Sequence, residues 1–69
     1  MPIYLADQDV ALTIRKITGS DKIKSHLNNL GFTVGETVEV INEVNENIIL
    51  RVKGVKMALS QEMAKRILV

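Results

Sequence analysis

Alternating apolar and polar residues mark the first element of the chain. Val10, Leu12 and Ile14 are each separated by one less apolar residue within the segment 9–15. Successive side chains of a strand point to opposite faces, so this period of two predicts a half-buried strand over residues 9–15. Ile17 falls out of the phase, which indicates a bulge or the end of the strand just before it.

The next apolar residues recur at the spacing of a helix. Ser20 suits the N-cap position, and an apolar stripe then follows at i, i+4 and i+7. The residues of this stripe are Ile23, Leu27 and Leu30. Gly31 suits the left-handed residue that ends a helix, and Phe32 is placed to pack back on Leu27. We therefore predict a helix that ends at Leu30-Gly31-Phe32.

The middle of the chain predicts a meander of three strands. Residues 37–44 and 48–52 are rich in β-branched residues, and Asn45-Glu46-Asn47 between them tolerates the left-handed conformation of a hairpin turn. Lys53-Gly54 then connects the second run to a third, residues 55–59, in which apolar and polar residues alternate.

The end of the chain completes the predicted architecture. Ser60 suits the N-cap of a single helical turn over residues 61–64, and residues 67–69 form a last short strand. The pattern thus predicts a mainly β protein with one short helix and five strands. Short strands in a small chain curl readily, which protects sheet edges, so we predict a small, partly open SH3-like barrel. An OB-fold and a flat sheet with a helix on one face are the alternatives.

The composition limits the chemistry available to the chain. Its 69 residues are expected to form a single domain over residues 1–69, and without cysteine it has neither disulfides nor thiolate ligands. His26 is the only histidine, and no Ser-His-Asp order, carboxylate pair or glycine-rich phosphate loop can be assembled. We therefore expect no enzymatic activity, no catalytic residue, no cofactor and no metal ligand.

The charge and hydropathy patterns favour a cytoplasmic protein. Nine basic and eight acidic residues give a formal charge of +1, which is too even to predict strong binding to nucleic acid or anionic lipid. The N-terminal residues lack the pattern of a secretory signal, and no apolar run approaches the ~20 residues of a membrane span. We expect neither nucleic-acid binding nor direct membrane insertion.

The segment Leu27-Asn28-Asn29-Leu30-Gly31-Phe32-Thr33-Val34-Gly35 resembles a family signature. It is similar to the "rL-x-x-lG-(hydrophobic)-x-pG" motif of the FeoA family, and the order of the later elements agrees up to Val69. The resemblance implies an SH3-like barrel without enzymatic activity. It also implies an accessory role in bacterial ferrous iron uptake, through contact with the cytosolic GTP-binding region of the iron permease FeoB. A similar domain forms the C-terminal module of metal-dependent repressors, so a regulatory or nucleic-acid-binding barrel is the alternative.

Several residues are candidates for binding a protein partner. They are lysines that can steer an acidic partner, apolar residues on strand faces opposite the predicted core, and two neighbouring residues of the predicted helix. The candidates are Lys22, Lys24, His26, Leu27, Ile41, Ile49, Lys53 and Lys56. Ile3 and Tyr4 are further apolar residues that folding does not obviously bury, unless the N-terminal segment packs over the sheet. Self-association is another use of such a surface.

Overall fold

The computed structural model describes residues 1–69 and contains six short strands and two helices. A 3₁₀ turn over Ile3–Leu5 precedes them. The strands are β1 (Ala11–Thr13), β2 (Lys16–Ile17), β3 (Thr37–Val44), β4 (Asn47–Val52), β5 (Val55–Ser60) and β6 (Ile67–Leu68). The helices are α1 (Asp21–Leu30) and α2 (Gln61–Ala64).

The strands form two antiparallel layers that do not close on each other. The larger sheet has four strands in the order β1-β3-β4-β5, and β2 pairs with β6 in a separate two-stranded ribbon. Pro2 bridges to Leu68, so the N-terminal residues lie beside the ribbon. The predicted mainly β fold with one short helix and a partly open barrel is confirmed.

The first predicted strand is divided between the two layers. The Ile14 N–H donates to Glu36 O (3.0 Å), and the Ile14 carbonyl accepts from Gly35 N–H (2.8 Å), so β1 ends at Thr13. The Arg15 N–H then donates to Leu68 O, and the chain enters the ribbon. The prediction of one strand over residues 9–15 is therefore wrong at its end, because the loop after α1 bonds to Ile14 and Arg15 already pairs with the ribbon.

Both predicted ends of α1 are confirmed. The Ser20 Oγ accepts from the Ile23 N–H at 3.3 Å, which caps the N-terminus. At the other end Gly31 has φ of 107°, its N–H donates to Asn28 O, and the Phe32 N–H donates to Leu27 O at 3.0 Å. These two bonds define a Schellman ending.

Two tight turns fix the register of the meander. The turn between β3 and β4 has Asn45 at φ of 57°, and the turn between β4 and β5 has Lys53 and Gly54 at 53° and 76°. The β4–β5 turn, with positive φ at both central residues, is a type I′ turn, whose twist matches that of the strands. The register of β3 against β4 shifts between Val40 and Asn42, so Ile41 occupies a bulge.

The core is aliphatic apart from one ring. Thirteen residues are buried, and none of them is polar or charged. They are Ile3, Ile14, Ile17, Leu27, Phe32, Val38, Val40, Ile48, Leu50, Val52, Leu59, Ala64 and Ile67. Both layers, both helices and the N-terminal turn contribute to this cluster. Ile3, considered above as a surface residue, is fully buried in it.

We predict that Gly31→Val destabilises the fold by about 1 to 3 kcal/mol, because a β-branched residue is strained at positive φ. A Cβ at this position would lie 3.6 Å from Val52 Cγ1, an ordinary contact, so backbone strain carries the cost. Denaturant unfolding measures the loss. Gly31→Asn is the control and should lose less, since asparagine tolerates the left-handed region. Equal losses would contradict the assignment to strain.

We also predict that Ser20→Ala lowers the free energy of unfolding by about 1 kcal/mol, because the Ile23 N–H loses its acceptor. Ser25→Ala is the matched control, since Ser25 is an exposed residue inside the same helix. Its replacement should be neutral or slightly stabilising, given the high helix propensity of alanine. Urea unfolding of each variant gives its free energy of unfolding. A similar loss for Ser20→Ala and Ser25→Ala would contradict the capping role.

Candidate functional site

The α1 candidates divide between surface and core. Lys22, Lys24 and His26 are exposed. At 100° per residue, Lys22 and His26 lie on one flank of the helix and Lys24 lies on the other. Leu27 is 0% exposed and belongs to the core. The prediction that it contacts a partner is therefore wrong, because its side chain is buried in the core between the helix and the sheet.

Four other candidates lie on the meander. Lys53 is exposed in the turn between β4 and β5, and Lys56 is exposed near the start of β5. Ile41 and Ile49 are half-buried and do not pack on the core cluster. They lie on the outer face of the larger sheet, where Ile49 is the cross-strand neighbour of Ala58. The structure thus brings Ile41, Ile49 and Lys56 to a face different from that of the α1 residues.

Three exposed aliphatic residues lie near the end of α1. Leu30 is 36% exposed, Val34 is 65% exposed and Val55 is 56% exposed. Leu30 was expected to complete the buried stripe of the helix, and Val55 was expected to continue the alternation of β5. Leu30 and Val55 both lie at the margin of the core. The apolar pattern of their elements continues there, but no other part of the chain packs over these positions.

Strand pairing and one close approach place these residues toward one end of the molecule. Val34 lies in the loop from α1 to the start of β3, where Val38 pairs with Val52. A Cβ built on Gly31, the neighbour of Leu30, would lie 3.6 Å from Val52 Cγ1. Val52 is the cross-strand partner of Val55, and Lys53 lies in the turn between them. His26 precedes Leu30 by one helical turn and shares its flank. We call the set His26, Leu30, Val34, Lys53 and Val55 the helix-end surface.

The structure contains no cluster of side chains that fits a metal ion. No group of three or more His, Asp or Glu side chains comes together in metal-binding geometry. A shallow polar depression lies between the β3–β4 turn and α2, where Glu46, Ser60 and Glu62 line it with Lys65. No helix is both long and apolar enough to cross a bilayer.

The family model described as the FeoA domain matches residues 1–69, the whole chain. No protein among the curated sequences is similar enough to count as a match. The sequence similarity therefore comes from the family model and from solved structures.

Solved structures share the fold over nearly the full chain. The iron uptake regulatory protein FeoA is 26% identical, with a TM-score of 0.87 over 96% of this chain and 88% of that one. FeoA of Stenotrophomonas maltophilia, crystallised with zinc and described as a procaryotic SH3 domain protein, is 23% identical. Its TM-score is 0.84, over 99% of this chain and 87% of that one. A manganese-dependent transcriptional repressor has a TM-score of 0.84 at 13% identity, and the match covers 97% of this chain but only 39% of the repressor.

We predict that stoichiometric zinc or ferrous ion leaves the ring resonances of His26 unchanged. His26 is exposed on α1 and has no companion ligands in metal-binding geometry, so it offers one imidazole where a stable site needs three or four donors. Proton–nitrogen spectra of the imidazole follow the titration. A saturable shift at His26 near equimolar metal would contradict this prediction and support metal sensing.

Proposed function

Since this chain belongs to the FeoA family, we propose that it is a cytoplasmic, non-enzymatic accessory protein of ferrous iron uptake that contacts the GTP-binding permease FeoB. The observation that carries the proposal is the family match over residues 1–69. The likeness to the manganese-dependent repressor, at 13% identity, concerns the fold alone, and no specific observation favours a repressor module.

The helix-end surface is the docking region that we favour on this chain. Val34 is 65% exposed and Val55 is 56% exposed, and exposed aliphatic residues at one end of a molecule are candidates for protein contact. Lys53 lies beside Val55, and His26 and Lys22 extend the same flank along α1. An apolar centre with a basic rim suits a partner that presents apolar residues surrounded by acidic ones.

The mode of action follows from the composition of this surface. It offers shape, apolar area and positive charge. Binding alone can still shift the permease between conformations, provided that the chain prefers one of them. The nucleotide state of the GTP-binding region is the natural variable, so binding is measured with and without guanine nucleotide.

We predict that the double substitution Val34→Ser with Val55→Ser weakens binding to the purified cytosolic region of the permease about tenfold or more, because two apolar contacts are lost. Calorimetric titration in each nucleotide state measures the affinity. Val44→Ser is the matched control: Val44 is 47% exposed but lies at the opposite end of β3 and β4, next to the β3–β4 turn.

Two outcomes would count against the proposal. No binding of the unaltered chain in any nucleotide state at high micromolar concentration would contradict the function itself. An equal loss for Val44→Ser and for the double variant would contradict only the location of the surface.

A further inference from the structure

The outer edge of β5 carries backbone groups without partners. β5 is the last strand of the four-stranded sheet, so only its β4 side is paired. No backbone hydrogen bond outside the ladders involves residues 55–60. An open edge of this kind can pair with a further strand unless something covers it.

The hairpin geometry identifies which residues face outward. In a two-residue type I′ hairpin the residues that flank the turn, here Val52 and Val55, exchange hydrogen bonds, and bonded pairs then alternate along the ladder. The Gln61 N–H donates to Glu46 O at 3.0 Å, so the pair Glu46 and Gln61 is bonded, as the alternation from Val52 and Val55 requires. The odd-numbered residues of β5 therefore bond to β4, and the N–H and C=O groups of Lys56 and Ala58 point to the free edge.

We propose that two copies of this chain pair antiparallel through their β5 edges, with Ala58 at the two-fold axis. The two Ala58 residues then donate to each other, and Lys56 of each copy lies opposite Ser60 of the other. The inference is independent of permease binding, because it uses only the sheet edge. It extends one sheet through both copies, with four strands from each.

Charge complementarity favours a second copy as the occupant. Ser60 lines the polar depression together with Glu46, Glu62 and Lys65, whose formal charges sum to −1, so the pairing places a lysine of one copy beside a region of the other that carries more acid than base. The register also keeps the two Lys56 side chains apart, whereas pairing centred on residue 56 would oppose them. The small Ala58 side chain at the axis allows the two backbones to approach without a clash.

Apolar side chains on the outer face of the sheet form a continuous row across the proposed interface. Ile49 is the cross-strand neighbour of Ala58, so this row consists of Ile49 and Ala58 of one copy followed by Ala58 and Ile49 of the other. Only one strand edge and its flanking side chains are buried, which is less than a permanent dimer uses. The association is therefore weak and depends on protein concentration.

Sedimentation equilibrium up to millimolar concentration tests the pairing. The unaltered chain should form dimers, and Ala58→Pro should weaken the dimer about tenfold or more, since the edge donor is lost at both copies. Proline is compatible with the fold here because the Ala58 N–H faces away from β4. Met57→Pro is the control, and it should unfold because its N–H belongs to the β4 ladder.

Cysteine cross-linking tests the register without relying on a proline variant. The chain has no cysteine, so a single one reports a single contact. Ala58→Cys should form a disulfide dimer under mild oxidation, since opposed residues of a bonded pair have Cα atoms ~5.5 Å apart. Lys56→Cys should cross-link far more slowly, because its counterpart lies two residues beyond the axis on the other copy.

The results that overturn the proposal are specific. A chain that stays monomeric at millimolar concentration overturns it and leaves the edge open to a strand of a different protein. A folded Ala58→Pro variant that dimerises like the unaltered chain overturns the use of this edge, and equal cross-linking at positions 56 and 58 overturns the register.

Discussion

The reversal of the chain at Gly31 is the constraint on which the rest of the structure depends. The Schellman bonds to Leu27 and Asn28 turn the backbone so that Leu27 and Phe32 both enter the core from opposite sides of one glycine. The same reversal delivers the following loop to Ile14, whose N–H and C=O it binds, and so divides the first strand between the two layers. A residue that is strained at positive φ opposes this reversal, on which both the core and the topology depend.

The local features of the chain were predictable because local chemistry determines them. Ser20, Gly31, Lys53-Gly54 and Ser60 cap helices or form turns through bonds to residues a few positions away, and the structure places each as expected. The division at Ile14 was not predictable from periodicity, because its bonding partners, Gly35 and Glu36, lie about twenty residues later in the chain.

The candidate surface was predictable only in part, for a related reason. Periodicity identifies which face of an element is apolar, but it does not say where the covering layer ends. Leu30 and Val55 continue the apolar pattern of their elements and yet lie past the margin of the core, so they are exposed. Leu27, three residues before Leu30, is fully covered, so of the two leucines in the predicted apolar stripe only Leu27 lies in the core.

The open edge and the helix-end surface meet at Val55, and the alternation of the strand separates their contributions. The Val55 backbone is bonded to Val52, so its side chain serves the helix-end surface while its N–H and C=O are unavailable to the edge. Ala58 has the reverse arrangement, with free backbone groups and a side chain too small to anchor a partner. Under the two proposals, a change at Ala58 acts on strand pairing and a change at Val55 acts on side-chain docking, although only three residues separate them. Because the barrel is not closed, the same short strand offers both kinds of contact, which a closed barrel of this size would lack.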